Sequence, residues 1–310
     1  MPRLSILVLF ALTLAPPAAP AAAAPATPAA TKTLVICAPG YPGNTAAAQP
    51  TMDAFAKLAA EAAGWRSESL RALYFETAEG GLKRIGEPDT VVALVSLPFF
   101  LQHEADLKLA ARLQVVQESG AAETWSLAAR RGRVASSAAL DGWEITGGAG
   151  YAPEFVRGPV LGGWGALPAS ARVTFTANVL SALRRAAAGE PLAVLLDGPQ
   201  AKALETLPFG ADLEIVARSV PMPGSLVCAV GSRLPPKQVD AFVHGLERLP
   251  ALPDSAEILK TMRLQRFEAV DRAALDSARR SFAAACAPAP AAGPGRPGRP
   301  SATAPGGTGR

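Results

Sequence analysis

The chain has 310 residues, 49% of them hydrophobic, and carries 30 basic against 26 acidic side chains for a formal net charge of +4. Four of the basic residues, Arg3, Arg296, Arg299 and Arg310, lie at the two ends, which leaves the body balanced at 26 of each sign. A balanced body has no surplus for a basic face, so nucleic acid is excluded as the expected partner.

At the N terminus, Arg3 precedes an apolar run from Leu4 to Leu14, and a Pro/Ala stretch then offers A-x-A sites, the best of them ending near Ala24. This pattern predicts a cleaved signal peptide over 1–24 and a periplasmic protein. The run is too short for the roughly 20 residues a spanning helix needs, and no cysteine stands near the cleavage site to take a lipid anchor. Beyond Cys286 the chain holds only Pro, Ala, Gly, Ser, Thr and three arginines, which predicts a disordered tail over 287–310. The three cysteines, Cys37, Cys228 and Cys286, allow one internal disulfide at most and match no zinc spacing. Cys37 and Cys228 sit inside apolar runs and read as buried thiols. No cofactor or metal motif is present.

The body opens with a buried strand, Thr33–Cys37, a Gly/Pro/Asn loop, and a helix over about 46–63 with Met52, Phe55, Leu58 and Ala59 at helical spacing. A strand over 68–73, a helix over 77–85 and a strong strand over 90–95 follow. Strands alternating with helices predict a parallel sheet covered on both faces. After 107–116 and 125–129 the pattern restarts: short helix 136–140, strand 143–146, helical turn 152–156, strand 172–175, helix 178–187, strand 192–196. The Gly158 to Gly165 loop is flexible by composition. The last section has strand-like runs at 211–218 and 225–230, then only helices, over 235–249, 254–261 and 271–285. It holds too few strands for a sheet of its own and is expected to return to the first one.

Several local patterns in this order resemble the phosphate/phosphite/phosphonate-binding proteins of ABC transporters. The similarity runs from Leu34 to Gly40 (LVICAPG) and Asp53 to Gly64, through Gly81-Leu82 and Asp89 to Leu97, to Ser136 to Trp143 (SSAALDGW), Val194 to Asp197 and Ile215 to Cys228 (IVARSVPMPGSLVC). The resemblance implies an α/β architecture, the type II periplasmic binding protein fold, with two three-layer αβα lobes joined by a two-crossover hinge. Lobe I would take 31–124 plus 222–286 and lobe II 125–221, with hinges near Glu123 and Val220. It further implies a monomer that captures a small anionic or zwitterionic ligand for an ABC transporter permease or a membrane sensor. One departure bears on the ligand: where the family carries a Ser/Thr-rich loop, Thr146 to Tyr151 supplies hydroxyls only at its two ends.

In such lobes the strand ends and the first turns of the following helices face one crevice, where free N–H groups favour an anion. The candidate ligand residues are Tyr41, Asn44 and Thr45 after the first strand, Ser96 after the third, Trp125 at the first crossover, and Thr146, Gly147, Tyr151 and Asp197 in the second lobe. Tyr41 and Asn44 serve equally well as turn residues, and Ser96 and Asp197 as helix caps. Asp197 could instead receive the ammonium of a zwitterion. Catalysis is not expected: His103 and His244, read as solvated helix residues, have no nucleophile elbow beside them, and neither H-E-x-x-H nor G-x-S-x-G occurs.

Overall fold

The computed structural model describes residues 31–40 and 43–287. The expected signal peptide, most of the expected tail and Tyr41 lie outside the described residues.

Thirteen strands are described: β1 (Lys32–Cys37), β2 (Leu70–Phe75), β3 (Thr90–Ser96), β4 (Leu109–Gln117), β5 (Ala122–Glu123), β6 (Ser126–Arg130), β7 (Glu144–Gly147), β8 (Arg172–Phe175), β9 (Leu192–Leu196), β10 (Leu213–Arg218), β11 (Met222–Pro223), β12 (Ser225–Val230) and β13 (Leu264–Ala269). They form a six-stranded sheet in the order β13-β4-β12-β3-β1-β2, a five-stranded sheet in the order β10-β6-β9-β7-β8, and a two-stranded ribbon of β5 with β11. The ribbon joins the two sheets where the chain crosses between them twice, pairing Met222 with Glu123.

The helices are α1 (Thr45–Ala62), α2 (Ala78–Gly86), α3 (Leu97–His103), α4 (Pro153–Phe155), α5 (Val179–Ala188), α6 (Gly198–Leu204), α7 (Pro236–Arg248), α8 (Ser255–Thr261) and α9 (Arg272–Cys286). Each sheet is covered on both faces, and the period of two along its strands separates two cores. In the six-stranded sheet Leu34, Ile36, Val92 and Leu94 face α1, α7 and α8 through Phe55, Phe242 and Leu259. Val35, Cys37, Ala93 and Val95 face the other way, toward Ile85 of α2 and Phe99 of α3. In the five-stranded sheet Ala128, Val194 and Leu196 pack on Ala182, Leu183 and Ala186 of α5. The opposite face, with Leu127, Ile145 and Leu195, belongs to the same apolar cluster as Cys37 and Phe99. One core therefore runs through both lobes.

Several expectations need correction. The sheets are mixed: β2 and β3 run parallel to β1, but β12 pairs antiparallel with β3 and β4, as does β13 with β4. The last section also contains β13, a strand missed because this sheet-edge segment buries only Phe267. The Gly158–Gly165 segment is built as a π-turn over Val156–Val160 and a 3-10 turn over Gly162–Trp164. A Cβ on Gly158 would stand 2.3 Å from the Ser281 carbonyl oxygen, so α9 seats closely on this turn. All three cysteines are free. Burial pushes the Cys37 thiol up to about 12 and the Cys228 thiol higher still, leaving both protonated. No helix among the described residues is long and apolar enough to cross a membrane.

Candidate functional site

The carboxyl ends of β1 and β3 and the start of β12 meet at one end of the strands of the six-stranded sheet, because Ser225 of antiparallel β12 pairs with Ser96. Chain segments that leave a sheet at one edge create the crevice in which α/β proteins hold ligands. A cavity of about 350 Å³ opens there, on the α1 side. Its walls come from Ile36 and Leu94 of the sheet, Met52 in α1, and Met262 between α8 and β13.

Asn44 lines this cavity and caps α1, its side-chain oxygen accepting the Ala47 N–H at 2.8 Å. The cap takes one of the free donors of the helix start and leaves the dipole's positive end beside the cavity. Thr45 is exposed and is not part of the wall. Arg263 is the only charged residue among the described ones that line the cavity. It adopts φ 58° in the reversal between α8 and β13.

Across from Arg263 lies Asp197 of the second lobe. Burial raises the Asp197 pKa, while the Gln200 N–H and the Arg263 charge pull it down. Its carboxylate caps α6, accepting the Gln200 N–H at 2.8 Å, and the Gln200 side chain returns to the Asp197 N–H in a full capping box. Beside it Glu123 of the ribbon accepts the Gly198 N–H at 2.6 Å and the Thr124 N–H at 3.1 Å. Burial, the largest effect, raises the Glu123 pKa.

The remaining candidates gather elsewhere on the interface between the lobes. The Ser96 and Tyr151 hydroxyls are 2.9 Å apart, linking the end of β3 to the second lobe. Nearby Gly40 meets Gly148 backbone to backbone. Thr146 is buried and donates to the Thr174 carbonyl at 3.2 Å, so its hydroxyl serves the second sheet and not the crevice. Gly147 is packed so that a Cβ would stand 2.4 Å from the Leu195 carbonyl oxygen. Trp125 sets its ring edge-on to Phe155 at 5.7 Å, within the shared core. Of the candidates within the described residues, only Asn44 lines the cavity. Arg263, Thr51 and Gln117 also line it. No sequence signal marks them: no motif singles out a lone arginine, and the strand that fixes Arg263, β13, buries only Phe267.

His103, expected to be solvated, is half-buried because its ring packs on Phe99, tilted at 56° with 4.7 Å between centroids, and burial lowers its pKa. His244 is exposed beside Glu247, as expected of a solvated helix residue. No group of three or more metal-ligating side chains forms among the described residues.

Neither a protein-family model nor a curated protein sequence matches the chain. Solved structures do. XAC2383 from Xanthomonas citri, bound to ATP, superposes with a TM-score of 0.64 at 15% identity, over 83% of this chain and 98% of that one. A binding protein component of an ABC phosphonate transporter from Pseudomonas aeruginosa, PA3383, gives a TM-score of 0.56 at 13% identity, over 79% and 83%. PhnD1 from Prochlorococcus marinus, in complex with methylphosphonate, gives 0.54 at 12% identity, over 80% and 98%. The fold is that of the type II periplasmic binding proteins, two αβα lobes joined by a two-crossover hinge, and its structural neighbours include a binding protein component of an ABC phosphonate transporter and a protein in complex with methylphosphonate.

Proposed function

We propose that the protein is a periplasmic solute-binding protein that captures a small anionic ligand between its lobes and delivers it to an ABC transporter permease. Lobe I comprises 31–124 and 222–286 in this reading, and lobe II 125–221. The observation that carries it is the coincidence, in one cavity lined by lobe I residues at the carboxyl ends of β1 and β3, of the α1 N-terminal end and Arg263. A helix start and a guanidinium both favour an anion. The β5–β11 ribbon provides the axis on which a second lobe could close over the ligand. The names of the structural neighbours, two of them phosphonate-binding proteins, agree with this class of cargo.

The test is a thermal-shift screen of the full chain with phosphate, phosphite, methylphosphonate, sulfate and small carboxylates. A ligand at a hundred times its Kd stabilises by about 2.7 kcal/mol. Stabilisation by at least one anion, absent with matched chloride, is expected. A flat response to every anion, including those with apolar substituents, overturns the reading.

A further inference from the structure

The wall of the cavity carries more information than its charge. Ile36, Leu94, Met52 and Met262 make most of the lining apolar, the polar side chains that share it, among them Tyr74, Ser225 and Thr261, are neutral, and the one charged side chain among the described residues is the exposed Arg263, where the chain reverses into β13. Such a wall suits a free oxyanion poorly. Phosphate or sulfate gives up a full hydration shell on entry and needs donors on every side in return, and the apolar part of the lining supplies none. A volume of about 350 Å³ also exceeds what a bare tetrahedral anion fills, and lies in the range of pockets that take organic ligands. Methionines in two of the wall positions add a surface that adapts to irregular apolar shapes.

Resting on the proposed solute-binding role, we infer that the ligand is an amphipathic organic anion, with one anionic head and an apolar body such as a ring or a short alkyl chain. The head lies against Arg263 and the start of α1, and the body lies against Ile36, Met52, Leu94 and Met262. The head chemistry, carboxylate or phosphonate, is shared by both kinds of ligand, and the experiment separates them.

Isothermal titration of the full chain with inorganic phosphate, methylphosphonate, phenylphosphonate, benzoate and benzyl alcohol tests this. Phenylphosphonate or benzoate binds at least about tenfold more tightly than methylphosphonate and phosphate, as burial of a ring predicts. The better of the two identifies the head. Arg263→Gln weakens that ligand by at least about tenfold, and Arg263→Lys recovers part of the loss. Met262→Gln, on a half-buried side chain, weakens phenylphosphonate or benzoate by a larger factor than it weakens methylphosphonate. Unliganded melting curves check that the variants fold. If phosphate or methylphosphonate binds as tightly as its phenyl counterpart, the inference fails while the solute-binding role stands. If benzyl alcohol matches benzoate and Arg263→Gln changes nothing, the anionic head is wrong. If no anion binds, both fall.

Discussion

The hydroxyls of Ser96 and Tyr151 stand 2.9 Å apart and tie the end of β3 to the second lobe. Ser96 is buried, so its hydroxyl has exchanged water for this contact. A bond of this kind contributes about 0.5–1.5 kcal/mol net. Ser96→Ala and Tyr151→Phe should each lower the melting temperature slightly, and the double variant should cost less than their sum. Strict additivity in that cycle would show that the two side chains are not coupled.

Gly40 has φ 85°, a region that side-chain-bearing residues avoid, and a Cβ there would lie 2.8 Å from the Gly148 Cα. A Cβ on Gly148 would meet Gly40 only at 3.7 Å, an ordinary contact. Gly40→Ala should therefore separate the lobes, seen as a larger radius of gyration in solution scattering, whereas Gly148→Ala should leave it unchanged. Equal behaviour of the two variants would place the lobe contact elsewhere.

Much of the fold was legible because burial on both faces writes continuous apolar runs. TVVALV and LAVLL can only be central strands when turn residues bound them, and both lie wholly buried. The second crossing of the chain followed from a shortage of strands in the last section. Strand direction was not legible, since β12 and β3 share the same apolar composition whichever way they run. The site was harder. Ser96, Thr146 and Asp197 have the residue types of ligand contacts, yet their polar atoms serve the Tyr151 link, the second sheet and a capping box. Hydroxyls and carboxylates at strand ends satisfy backbone or ligand equally well, and sequence does not say which. Arg263 acquires its place only from the pairing of β13 with β4, a contact between segments about 150 residues apart.

Glu123 is 8% exposed and its pKa is raised by burial. Between the ordinary Glu value of about 4.3 and the raised value, the folded protein holds the proton more firmly than the unfolded chain. Stability therefore falls as pH rises through that window and is level above it. Glu123→Gln keeps an oxygen to accept the Gly198 N–H and removes the titration. Its melting temperature should decline less than that of the parent as pH rises from about 4 to 8. Asp197, raised in the same direction, keeps some slope in the variant. Parallel curves would contradict this assignment.

Asp89 behaves oppositely. Its carboxylate accepts from Arg84 at 2.9 and 2.7 Å, from the Thr33 hydroxyl at 2.8 Å and from Arg71 at 2.8 Å, and the Arg84 bonds hold its pKa well below the usual range. A depressed pKa gives stability that is fully present above about pH 4 and is lost as pH falls through the folded value. Asp89→Asn should cost about 1–2 kcal/mol near neutrality, discounted for a side chain one-third exposed. The gap between parent and variant should close in acid. A gap as wide at pH 2 as at neutrality would assign the loss to packing instead.

The last helix reaches both lobes. Arg279 donates to both oxygens of Glu104, at 2.9 and 2.5 Å, just beyond α3 in the first lobe. Within the next two turns of the helix, Ser281 and Ala285 press on Gly158 of the second. Because a Cβ at 158 would stand 2.3 Å from the Ser281 carbonyl oxygen and 2.9 Å from the Ala285 Cβ, Gly158→Ala cannot be absorbed by a flexible side chain. Overpacking of this sort costs about 1–3 kcal/mol, and the helix is the element that can give way. The variant should release a C-terminal fragment early in limited proteolysis, while Gly163→Ala, with nothing within 4 Å of its Cβ, should be cleaved like the parent. Identical digestion of all three would mean that the seat on Gly158 does not decide whether α9 stays docked.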